Sequence, residues 1–188
     1  MSESGPGRPP GAGKLGGTGA GRLSCGSRHR DRLAGLPLSV TLDIDGLGAV
    51  TFCHATARDD NEFITVDSPV SHYQAAFASV PAQTVVVGHT HMPFDRLADT
   101  RRVVNPGSVG LPYGHPGAAW ALLGPDVVLR RTTYDTGAAA AALSASASDL
   151  PGIEFITANV RASASDAEAL AAFNQTREHQ ARQRPGPE

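Results

Sequence analysis

The chain has 188 residues, 40% of them hydrophobic and 18% charged, with a formal net charge of −2. That length allows one globular domain with tails, and the near-neutral charge gives no footprint for nucleic acid or an anionic membrane surface. Two cysteines, Cys25 and Cys53, are too few for a disulfide scaffold, and no apolar run approaches the roughly 18 residues of a membrane span.

The N-terminus lacks the apolar core of a secretory signal, so the expected location is the cytoplasm. Residues 1–26 hold nine glycines and three prolines without apolar periodicity. Such a stretch buries too little surface to offset its ordering entropy, and a disordered leader is expected over residues 1–30. "GAGKLG" within it has the glycine spacing of a nucleotide loop, but no strand precedes it and no amphipathic helix follows. The expected domain runs over residues 31–181, with a frayed tail at 182–188.

A short helical turn ends near Gly35. "LSVTLDID" alternates apolar and polar residues, "DGLG" is a turn, and "AVTFCHA" returns, which predicts a hairpin. "DSPVSHYQAAFASV" opens with an Asp/Ser cap and a proline, then shows helical spacing. "QTVVVG" reads as a buried strand. "FDRLADTRRVVN" reads as a second hairpin turning near Asp99, and "NPGSVGLPYGHPG" as a loop. "AAWALLG" and "VVLRRTTY" are two more strands. "DTGAAAAALSAS" is expected to be helical, as is "SASDAEALAAFNQTREHQA", capped by Ser163 or Ser165.

Seven histidines are spread along the chain. His29, His72, His115 and His179 fall in tail, helix, loop and helix contexts and read as surface residues. His54, His89 and His91 each follow an apolar strand, where ligand sites gather in helix-flanked sheets. His89 and His91 flank Thr90, and i and i+2 side chains of a regular strand share a face. Gly88 permits a sharp turn just before them. Such a pair is suited to a transition ion, since neutral imidazole ligates Zn, Mn, Fe and Ni. Asn105, Pro106 and Gly107 predict a tight turn, after which Ser108 presents a hydroxyl and a backbone N–H. Cys53 is expected to point into the core, opposite His54. Asp59, Asp60 and Glu62 are expected in a solvated loop beyond it.

"FCHATARDDNE", "VVVGHTHMPF" and "VVNPGSVGLPYG", in that order, resemble the calcineurin-like metallophosphoesterases, most of all the small bacterial phosphodiesterase branch. The resemblance covers roughly residues 31–135. It implies an α/β fold, an αββα sandwich of two mixed sheets. It implies a hydrolase of phosphoric esters whose two divalent metals (Mn, Fe, Zn or Ni) share a bridging hydroxide. By motif position it implies His54 and His89 as ligands of one metal and His91 as a ligand of the other, with Gly88, Thr90, Asn105, Gly107 and Ser108 in the loops beside them.

The pattern of that family also has an earlier half: an Asp-x-His, a Gly-Asp-x-x-Asp and a Gly-Asn step, which supply the carboxylates. This chain has no Asp-x-His and no Gly-Asp, and none of its four asparagines follows a glycine. The expectation is therefore an incomplete sandwich behind an unrelated leader. Two divalent ions carry four positive charges, which three neutral imidazoles do not offset, whereas one zinc on three histidines is chemically reasonable. The expected protein is a phosphoester hydrolase impaired as an isolated chain; the alternative is a non-catalytic metal-binding or interaction half-domain. Its expected partners are a phosphoester substrate and, through an exposed sheet face, another copy of itself, with neither nucleic acid nor membrane.

Overall fold

The computed structural model describes residues 27–183. Residues 1–26 of the expected leader and residues 184–188 of the expected tail lie outside the described residues. Helix α1 is Ser27–Ala34, so residues 27–30, grouped above with the leader, are helical. It is exposed along its whole length.

The alternating segments form the expected antiparallel hairpin of β1 (Ser39–Ile44) and β2 (Gly48–Cys53), with Val40 opposite Phe52 and Leu42 opposite Val50. The apolar run gives β3 (Thr84–Val86), buried throughout. The second hairpin is β4 (Phe94–Ala98) and β5 (Arg101–Asn105), turning at Asp99 in the left-handed region. These strands form one sheet in the order β1-β2-β3-β5-β4, in which β2, β3 and β5 run parallel. A second, antiparallel sheet contains β6 (Ala118–Leu123) and β7 (Val127–Thr132). The fold is mixed α/β.

Helix α2 is Val70–Ala76, shorter than its apolar spacing predicts. Its N-cap is Pro69 and no side chain caps it. Asp67 and Ser68, expected as caps, instead bind the C-terminal helix. Asp135 does cap α3 (Thr136–Ser146), accepting from the Ala138 N–H. Helix α4 (Ile153–Arg161) was not expected and packs against α3. Helix α5 (Asp166–Gln183) starts with a capping box: Ser165 Oγ accepts from the Glu168 N–H and Glu168 accepts from the Ser165 N–H.

One face of the large sheet packs on α2 through Val85, Val87, Phe94 and Val103 against Tyr73, Ala76 and Phe77. The other face packs on the small sheet through Val50, Val86 and Val104 against Val127 and Leu123. Both faces of β2 and β3 are thus covered. The open apolar surface lies elsewhere. Leu38, Val40 and Leu42, in and just before β1, are 52%, 45% and 51% exposed, and Trp120 and Leu122 of β6 are exposed too. Among the described residues no helix is long and apolar enough to cross a membrane.

Candidate functional site

Three parallel strands end on one edge of the large sheet, and the loops that leave them meet there. His54 follows β2, Gly88 to His91 follow β3 and Pro106 to Gly110 follow β5. Gly88 fits between these loops because it lacks a side chain. Its N–H donates to the His54 carbonyl at 2.8 Å, and a Cβ there would stand 3.3 Å from that oxygen.

The chain then turns tightly, the Thr90 N–H reaching the Gly88 carbonyl at 2.6 Å. His89 and His91 both adopt left-handed backbone, with φ of 60° and 57°. Neither lies in a strand, so the expected sharing of a strand face does not hold and the two rings take different neighbours. Positive φ is costly for a non-glycine residue and persists where the surroundings enforce it. Asn105 does the enforcing. Fully buried, its Nδ2 donates to the Gly88 carbonyl (2.8 Å) and to Thr90 Oγ1 (3.0 Å), and its Oδ1 accepts from the Gly107 N–H at 2.9 Å. Gly107 has φ 87°, as the predicted turn requires. The Ser108 hydroxyl oxygen accepts from the Leu111 N–H at 3.0 Å.

His89 Nδ1 faces His54 Nε2 at 3.3 Å, with the rings edge to face at 5.1 Å between centroids. His91 Nδ1 lies 3.1 Å from the Leu111 carbonyl. A carbonyl only accepts, so Nδ1 of His91 carries the proton and its Nε2 keeps a lone pair. His89 Nε2 is buried without a partner among the described residues. Burial, then the neighbouring His54 and His91, hold the His89 pKa below the usual imidazole range. Burial likewise lowers His91, against the opposing Leu111 bond. Both are therefore neutral at pH 7, the form that ligates metals.

Cys53 points into the core as expected, packing beside the α2 cluster, and burial pushes its thiol up to about 11. The expectation of a solvated Asp59–Glu62 stretch fails at Glu62, which is buried. Arg58 grips its carboxylate at 2.6 and 2.9 Å, with His72 Nε2 and Thr56 Oγ1 each at 2.8 Å. Burial alone would raise the Glu62 pKa, but these bonds outweigh it and hold the pKa well below the usual carboxylate range. His72, expected as a plain surface residue, is part of this network.

Two imidazole nitrogens bound to one tetrahedral zinc at about 2.05 Å lie about 3.3 Å apart. The His54–His89 pair has that spacing, which is also that of the hydrogen bond between the two rings. A dinuclear centre does not fit the described residues, since among them no group of three or more His, Cys, Asp or Glu side chains is placed to hold a metal.

Three aromatic residues at this edge had no sequence signal beyond Tyr113 lying in the glycine-rich loop. Phe63 packs edge to face on His89 at 4.6 Å, Phe173 of α5 contacts Phe63 and Tyr113 at 5.4 Å each, and Tyr113 stands 6.4 Å from His91. Helix α5 clamps the loop that bears Phe63. Gln180 accepts from the Phe63 N–H (3.1 Å) and donates to the Asn61 carbonyl (2.7 Å). Arg177 donates to Thr65 Oγ1 and Ser68 Oγ at 2.9 Å each, and Asn174 donates to Asp67 at 2.6 Å.

Residues 20–125 match the calcineurin-like phosphoesterase superfamily domain. The fold is similar to that of a hypothetical protein from Pyrococcus horikoshii OT3, at 23% identity and a TM-score of 0.60, over 77% of this chain and 58% of that one. It is also similar to a metallophosphoesterase from Sphaerobacter thermophilus, at 22% identity and a TM-score of 0.57, over 73% of this chain and 63% of that one. The chain thus spans about three-fifths of the length of these two structures. No curated protein matches it.

Proposed function

Because the chain belongs to the calcineurin-like phosphoesterase superfamily, we propose that its site binds phosphoric esters beside a divalent metal, within the chemistry of a phosphoester hydrolase, and that turnover by this chain is weak. The observation that carries the reading is the His54–His89 pair, two imidazole nitrogens 3.3 Å apart at a sheet edge where parallel strands end.

His54 and His89 would hold the ion. The chemistry such an ion supplies when bound is polarisation of a phosphoryl oxygen and a lowered pKa for water. The protein's own part is to keep His89 neutral by burial and to hold the His89–His91 turn in place through Asn105. The Leu111 carbonyl keeps the His91 proton on Nδ1, which turns the Nε2 lone pair toward a metal ligand role. The reading of weak turnover rests on charge. The family's two-metal arrangement needs carboxylates to balance four positive charges; Asp60 and Asp59 act on His89 through space, but among the described residues no group of three or more His, Cys, Asp or Glu side chains is placed to hold a metal. The same observation favours the second reading, a non-catalytic metal-binding or interaction half-domain. A cytoplasmic location and self-association through the open face of β1 belong to the first reading.

Bis-p-nitrophenyl phosphate hydrolysis with added Mn²⁺, together with titration of inorganic phosphate into the metal-loaded chain, tests this. Phosphate binding that requires His89, with hydrolysis barely above the metal background, is expected. Robust saturable hydrolysis abolished by His89→Ala would overturn weak turnover. Absence of any phosphate binding would leave the half-domain reading standing.

A further inference from the structure

We propose that Phe63, Phe173 and Tyr113 form a platform for a planar aromatic group on the phosphoester, an aryl substituent or a nucleobase; this rests on the phosphoester reading above. The rings form a continuous arc that begins on His89 and ends beside His91, with successive centroids 4.6, 5.4, 5.4 and 6.4 Å apart. A phosphoryl group held at the imidazoles therefore lies beside Phe63 on the His89 side and beside Tyr113 on the His91 side.

None of the three rings is fully buried and none is fully exposed. Core aromatics are usually enclosed, whereas a partly exposed ring keeps some of its surface for a ligand. Aromatic residues make up only 5% of the chain, one Trp, three Tyr and six Phe, so three gathered at one strand edge is a marked local enrichment. The platform is also held rigid. Gln180 bonds both Asn61 and Phe63 across 119 and 117 residues, and Phe173 rides on the same helix. A preorganised aromatic surface is what stacking requires, because ordering a mobile one would consume the gain. Small polar esters such as methyl phosphate would gain nothing from it.

The test is calorimetric titration of the full-length, Zn²⁺-loaded chain with phenyl phosphate, adenosine monophosphate, methyl phosphate and inorganic phosphate. Stacking on one aromatic surface should tighten binding of phenyl phosphate and adenosine monophosphate over methyl phosphate by about tenfold. Phe173→Leu and Tyr113→Leu, which keep apolar bulk, should erase that preference and leave inorganic phosphate affinity unchanged. A thermal melt of each variant checks that the fold is intact. If inorganic phosphate binds but phenyl and methyl phosphate bind equally, the arc is a packing seam and the platform is overturned while the phosphoester reading stands. If none of the four ligands binds, both fall together.

Discussion

His54 Nε2 and His89 Nδ1 stand 3.3 Å apart although 35 residues separate them in the chain. Strand pairing produces the meeting: β2 and β3 run side by side and parallel, so the residues just past their C-terminal ends arrive at one edge. The Gly88 N–H to His54 carbonyl bond then sets the last step of register.

The support beneath that pair is Asn105. Asn105→Ala would remove the side-chain partner of the Gly88 carbonyl and of the Gly107 N–H and leave the Thr90 hydroxyl only the Ile64 carbonyl. Unsatisfied buried groups of this kind cost about 1–3 kcal/mol each, partly relieved by relaxation, so a net loss of about 2–4 kcal/mol is expected. At roughly 2–4 °C per kcal/mol for a chain of this size, the melting temperature should fall by about 5–15 °C. Zinc affinity should fall with it, because His89 would no longer be held in its left-handed turn. A melt unchanged within about 1 °C would show that the Asn105 bonds are dispensable.

Glu62 predicts an acid limb in the stability curve. Its folded pKa lies below the unfolded value, so its contribution is present above the unfolded glutamate pKa of about 4.3 and is lost as pH falls below it. Urea melts between pH 7 and pH 3 should show this decline, and Glu62→Gln should flatten it. At neutral pH, Glu62→Ala should cost about 2–4 kcal/mol by leaving Arg58, His72 and Thr56 without their shared acceptor. Parallel acid limbs in the wild-type chain and Glu62→Gln would assign the pH dependence to other carboxylates.

The open face of β1 predicts association. Leu38, Val40 and Leu42 are about half exposed, and among the described residues β1 is an edge strand of the large sheet. Two such strands paired antiparallel about Thr41 would set Val40 opposite Leu42 of the other copy. Light scattering should show concentration-dependent assembly, and Val40→Thr with Leu42→Lys should shift it toward monomer. A wild-type chain that stays monomeric at high concentration would show that this face needs no cover.

The strands were legible because alternation and β-branched runs mark them directly: Val85 and Val86 sit where "QTVVVG" placed them, and Asp99 turns the second hairpin. Helix α4 was not legible, since Ile153, Ile156, Thr157 and Val160 are β-branched residues with modest helix propensity, and packing on α3 decides their state. At the site, the three histidines could be picked out, but their geometry could not. His89 and His91 leave the strand for left-handed backbone that Asn105, outside the local motif, helps to hold. Nor does local pattern reveal that α5 reaches back across more than a hundred residues to Phe63, a partner far along the chain, and the burial of Glu62 among its near neighbours Thr56, Arg58 and His72 is hidden because a charged run reads as a solvated loop.

Calorimetric titration of Zn²⁺ into the wild-type chain and into single alanine variants of His54, His89, His91, His115 and His179 tests the central claim most directly. The account predicts that His54→Ala and His89→Ala remove most of the affinity, that His91→Ala has a smaller effect, and that His115→Ala and His179→Ala leave it unchanged. Equal losses at His115 or His179, or no loss at His89, would mean that zinc binds generically at the surface and that the paired imidazoles are not a metal site.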